Sequence, residues 1–176
     1  KFVAGPQTDY FRSPDGSVVN NSAVIFTEVD NTKPFTFTAK VQPEFTETGT
    51  YSAGVIYAYE NDTHCQKLCF EQDEYGDHRV VSVRTLGTSD DNNHQAISAP
   101  YVYMRLSSDG TTLGSYFSED GKIWRMARLY KNDFPEKLLI GISSQSPKDN
   151  EHTCLFTEVS LTDKPVADFR KGNIAE

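Results

Sequence analysis

Between His64 and Arg105 the chain gathers the side chains best suited to chemistry. In Glu71-Gln72-Asp73-Glu74, Glu71 and Asp73 would share one face of a strand at about 6.6 Å spacing. Paired carboxyl groups are the usual machinery of glycoside cleavage, provided that they stand about 5 to 9.5 Å apart across a cleft. Glu71 is therefore the candidate acid or base, with Asp73 or Asp90 as its partner. The run from Asp73 to Asp77 also reads as a turn.

A second set would bind rather than react. Three alternating segments each carry one apolar and one decorated face. His64 to Glu71 sets Leu68 and Phe70 against Cys65, Lys67, Cys69 and Glu71. Arg79 to Leu86 sets Val81 and Val83 against Ser82 and Arg84. Tyr101 to Ser107 sets Val102, Met104 and Leu106 against Tyr101, Tyr103 and Arg105. With these strands side by side, Lys67, Glu71, Ser82, Arg84, Tyr101, Tyr103 and Arg105 would converge on one outer surface. Such a mixture suits a sugar, because rings stack on its apolar face and charged groups bond its hydroxyls. A solvated sheet face carrying cross-strand ion pairs has the same composition, so a structural or interaction domain is the competing expectation.

Other chemistries find little support. His64, Cys65, Cys69, His78, His94 and His152 form no zinc-like pairs, since Cys-x3-Cys on a strand is too extended. Asp90-Asp91-Asn92-Asn93 offers oxygen ligands but no complete calcium pattern. Ser118 to Trp124 reads as a hairpin with Trp124 packed on it. No Gly-rich phosphate loop, His-Glu-x-x-His or Gly-x-Ser-x-Gly occurs. No metal or cofactor is indicated.

These residues need a scaffold, and the pattern supplies an all-β one. Ala23 to Val29, Phe35 to Gln42, Tyr51 to Tyr59, Thr111 to Phe117, Lys122 to Tyr130, Leu138 to Ser143 and Thr153 to Leu161 complete about ten short strands. Asp15-Gly16, Asp109-Gly110 and Asp120-Gly121 mark turns. Leu86 to Pro100, Tyr130 to Lys137 and Ser144 to His152 read as long loops. Helical periodicity is absent, so helix should be minor. A two-sheet antiparallel jelly-roll sandwich fits best, with an up-and-down barrel second.

At 176 residues the chain has room for one domain, expected over 1–176. Seventeen basic against 25 acidic side chains give a net charge of −8, which disfavours nucleic acid as a partner. No apolar run approaches a membrane span. Cys65 and Cys69 would lie roughly 13 Å apart on their strand, too far for a disulfide. Cys154 could pair with either, but three ordinary thiols are preferred. The chain starts at Lys1 and its methionines are Met104 and Met126, so it is expected to start after a removed segment, whether a cleaved signal, a processed leader or an artificial boundary.

The order of motifs resembles the DUF1349 family of concanavalin A-like β-sandwiches, from about Asp9 to Thr162. The likeness rests on Asp9-Tyr10-Phe11, Phe35-Thr36-Phe37-Thr38-Ala39-Lys40-Val41, Ala53-Gly54-Val55-Ile56-Tyr57 and Lys67-Leu68-Cys69-Phe70-Glu71. It continues through Val81-Ser82-Val83-Arg84-Thr85, Tyr103-Met104-Arg105-Leu106, Ser118 to Trp124 and Ile140 to Pro147. Cys65 stands where the family commonly has tryptophan, and Ala58 where an arginine is frequent. The resemblance implies a jelly roll with a concave face, an oligosaccharide or polysaccharide ligand, and a secreted, periplasmic or cell-surface location.

Overall fold

A computed structural model describes residues 1–174; the last two residues of the expected domain, 175–176, lie outside the described residues. The chain forms fourteen strands: β1 (Phe2–Ala4), β2 (Tyr10–Arg12), β3 (Val18–Asn20), β4 (Ile25–Asp30), β5 (Phe35–Pro43), β6 (Ala53–Asn61), β7 (His64–Gln72), β8 (His78–Leu86), β9 (Thr88–Ala96), β10 (Val102–Ser108), β11 (Thr112–Ser118), β12 (Arg125–Lys131), β13 (Lys137–Gln145) and β14 (His152–Thr162). Among the described residues there is no helix.

Two antiparallel sheets of six strands face each other. The first runs β1-β14-β5-β10-β11-β12 and the second β4-β13-β6-β7-β8-β9, with β2 and β3 forming a separate hairpin. The expected sandwich is present. Between the sheets lie Phe37, Ala39 and Val41 of β5, Leu68 and Phe70 of β7, and Met104 and Leu106 of β10, all buried. Period-two alternation puts these side chains inward, and each large one contributes about 1.5–3 kcal/mol by leaving water.

A second apolar cluster lies outside this core. Val55, Tyr57, Cys69, Val81 and Val83 are buried on the outer face of the second sheet, with Tyr10, Phe11, Phe26 and Tyr59 packed against them. The β2–β3 hairpin contributes Tyr10 and Phe11. It is fastened by an Arg12–Asp62 ion pair at 3.1 Å, by Asn20 on the same carboxylate at 3.0 Å, and by the Arg12 amide donating to Ser89 at 2.9 Å.

Three expectations are corrected. The segment Leu86 to Pro100 is no loop: it contains β9, which pairs with β8 along its length. β9 has almost no apolar side chain, because an edge strand can be held by backbone bonds to one neighbour. Three short N-terminal strands, β1 to β3, also escaped the periodicity reading. Finally, β8 and β10 are not neighbours, since β10 pairs with β5 and β11 in the other sheet. The three cysteines are free and buried.

Candidate functional site

Strand register builds the site. On the outer face of the second sheet, Gln145, Ala53, Glu71 and Arg79 form one cross-strand row. The next is Ser143, Val55, Cys69, Val81 and Asn93; the third is Gly141, Tyr57, Lys67, Val83 and Asp91. Short side chains in the middle row leave a hollow, and the hairpin walls one side. The result is a cleft of about 820 Å³ whose lining includes Phe11, Tyr51, Lys67, Glu71, Asp91 and Gln145. In the third row Gly141 lets the Phe26 ring pack against the sheet: a Cβ there would lie 2.5 Å from that ring and 2.7 Å from the Ile25 carbonyl.

Lys67 is the electrostatic centre. Its ammonium donates to Asp9 at 2.7 Å and to the Gln145 carbonyl oxygen at 3.1 Å, and its side chain is 3% exposed. Burial alone would lower its pKa; the Asp9 carboxylate, with Cys69 and Glu71, outweighs that and holds it above the ordinary lysine value. Asp9 reaches this point because Thr8 and Ser146 exchange backbone bonds and Asn21 accepts from the Asp9 amide.

Burial pushes the Glu71 carboxyl well above the usual range, with Lys67 opposing and Asp9, Asp91 and Asp73 adding to the rise. Partial burial also raises Asp91. The Gln145 amide donates to the Tyr51 carbonyl at 3.1 Å and lies 3.5 Å from Glu71. Tyr51 sits at φ 64°, a left-handed conformation costly for a residue with a side chain, and its amide donates to the Gln72 carbonyl at 2.7 Å. The site thus holds a carboxyl whose burial favours its protonated form, an ion pair, an amide and an acceptor carboxylate. Together they can bind hydroxyl groups or move a proton.

Of the expected site residues, Lys67 and Glu71 line this cleft and the other five do not. Ser82 and Arg84 pair with Leu68 and Gln66, so they point between the sheets. There Ser82 bonds Arg128 at 2.9 Å, while Arg84 bonds Asp133 at 2.5 Å and lies 4.1 Å over the Tyr130 ring. β8 does alternate, but Val81 and Val83 face the hairpin-covered cleft, while Val80 packs in the core between the sheets. Tyr101, Tyr103 and Arg105 belong to the other sheet. Lys40 lies 4.0 Å over the Tyr101 ring and 5.4 Å from Tyr103. Arg105 is buried beneath Trp124 at 3.6 Å and donates to Thr38 at 3.0 Å and to the Gly172 carbonyl at 2.5 Å.

The proposed carboxylate partners are also displaced. Asp73 closes a turn, accepting the Tyr75 and Asp77 amides and pairing with Arg79 at 2.7 Å. Asp90 faces away from the cleft and accepts Arg128 at 3.0 Å. The missed cleft residues are Asp9, Asp91, Asn93 and Gln145. Asp9 and Gln145 lie within motifs already singled out, and Asp91 and Asn93 share the parity that a strand at this segment would have shown. Among the described residues no group of three or more His, Cys, Asp or Glu is placed to hold a metal ion. No helix there is long and apolar enough to cross a membrane.

Solved structures share this architecture. A functionally unknown protein from Saccharomyces cerevisiae is 24% identical, with a TM-score of 0.81 over 90% of this chain and 84% of that one. A GH43 protein from Bacillus licheniformis is 14% identical, with a TM-score of 0.65 over 87% of this chain but 30% of the other. An alginate lyase from Klebsiella pneumoniae is 13% identical, with a TM-score of 0.50 over 74% of this chain and 60% of that one. The chain thus spans about a third of the GH43 protein, and at these identities the likeness is one of fold. No curated protein sequence matches it. The family model described as a protein of unknown function, DUF1349, matches residues 1–164, and the chain belongs to that family.

Proposed function

We propose that this protein binds a saccharide in the cleft of its second sheet. One observation carries the reading: donors and acceptors of a buried polar network converge on a hollow of about 820 Å³ with an apolar floor. Ligand sites commonly have this size, with convergent polar groups that fix the ligand's orientation. The structural neighbours, which include a xylan β-1,4-xylosidase from Bacillus halodurans and the alginate lyase, lend support at the level of a carbohydrate-related sandwich. The test is calorimetric titration with neutral oligosaccharides, xylo-oligosaccharides first. Glu71→Gln should weaken binding at least tenfold without loss of fold. Unaltered affinity in that variant would remove the cleft from consideration.

A second reading is hydrolysis with Glu71 as general acid. It is favoured by the burial that raises this carboxyl's pKa, the direction a general acid requires. Asp91, on the same cleft, replaces Asp73 and Asp90 as the second carboxylate. Product release that vanishes in Glu71→Gln and in Asp91→Asn, each retaining the fold, would establish it. Binding without turnover leaves the first reading alone.

A further inference from the structure

We infer that the cleft selects uncharged, hydroxyl-rich saccharides and turns away uronate and sulfated chains. This deepens the binding reading and rests on it. Recognition of an anionic sugar needs a cation free to meet it, commonly a guanidinium fork. Among the described residues no arginine lines this cleft. Arg84 is committed to Asp133 between the sheets, and Arg79 to Asp73 at the turn. The buried lysine of the cleft is spent as well, because Lys67 is already neutralised by Asp9 and bonded to Gln145.

What remains is acidic. Asp9, Glu71, Glu74 and Asp91 line the cleft against Lys67 and Lys148. With the Asp9–Lys67 pair cancelled, a ligand carboxylate would face Asp91 and Glu74 with exposed Lys148 as the single remaining cation. Two like charges 4 Å apart repel by about 1 kcal/mol even in water and by more where water is partly excluded. The net charge of −8 extends the repulsion to an approaching polyanion. A hydroxyl group, in contrast, both donates and accepts. It can satisfy the Asp91 carboxylate and the Asn93 amide without bringing a charge of its own.

The experiment titrates the intact protein with matched pairs of oligosaccharides differing in a carboxylate: gluco- against glucurono-, manno- against mannurono-. The neutral member should bind at least tenfold more tightly at low salt, and the gap should narrow as salt rises. Asp91→Lys, on an exposed edge strand, should improve uronate affinity at least tenfold. If the acidic members bind as tightly as the neutral ones, or if Asp91→Lys leaves uronate affinity unmoved, the charge inference is overturned while the saccharide reading stands. If no member of either series binds, the saccharide reading falls and takes this inference with it.

Discussion

The two sheets have outer faces of similar chemistry and opposite fates. The first sheet presents Thr36, Lys40, Tyr103, Arg105 and Tyr116; the second presents Lys67, Glu71, Asp91 and Gln145. On the first, residues 163–174 lie across the strands and engage Thr36, Arg105 and Tyr116, while Glu158 of β14 engages Lys40 and Tyr103. The Lys164 carbonyl accepts Thr36 at 2.6 Å, the Phe169 carbonyl accepts Tyr116 at 2.8 Å, and the Gly172 carbonyl accepts Arg105 at 2.5 Å. On the second, the hairpin covers part of the face, and its Asp9 leaves a hollow beside the ion pair. The chain itself is the ligand of the first face. A charged and aromatic surface is therefore no sign of a site until its partners are counted.

The sharpest way to break this contrast is Arg105→Ala. Arg105 is 5% exposed, and burial already disfavours its charge, pulling its pKa down to about 10. Its removal strips Trp124 of a cation and leaves Thr38 and the Gly172 carbonyl without their partner. The expected cost is about 3 kcal/mol, a fall in Tm on the order of 10 °C, read by calorimetry. Saccharide affinity of the folded protein should not change. A folded Arg105→Ala protein that no longer binds would move the site to the first sheet.

Gly172→Ala tests the strap itself. Gly172 has φ 69°, and a Cβ there would lie 2.4 Å from the Tyr116 ring. The substitution should destabilise by about 1–3 kcal/mol and expose Tyr116, read as a change in near-ultraviolet dichroism. Wild-type stability with an unchanged spectrum would mean that residues 163–174 do not hold this face.

Much of the contrast was legible in the sequence, and its limits have physical causes. The parity of β5, β7 and β10 placed Phe37, Leu68 and Met104 inward, because side chains alternate whatever the partner strand. Parity cannot say which strands pair, so Tyr103 and Arg105 were grouped with Lys67 although they lie on the other sheet. Nor does it say what covers an apolar face. Val81 and Val83 looked like core, but they form the cleft floor under Phe11, which sent Ser82 and Arg84 to the wrong side. β9 gave no signal because Thr88–Ala96 carries almost no apolar side chain.

Glu71 supplies the smallest and most specific test. Its carboxyl is protonated in the folded chain over a range where the unfolded chain has already ionised near pH 4.5. Above that pH the unfolded state binds fewer protons, so stability falls as pH rises toward the folded pKa. The slope from one such group is at most about 1.4 kcal/mol per pH unit. Glu71→Gln keeps the shape and cannot ionise, so it lacks this slope. Urea unfolding at pH 4, 5 and 6 should give similar stabilities at the lowest pH. The variant should gain at least about 1 kcal/mol on wild type by pH 6. Parallel profiles would show Glu71 ionised beside Lys67, and the second face would then be satisfied by its own ion pairs as fully as the first is by the tail.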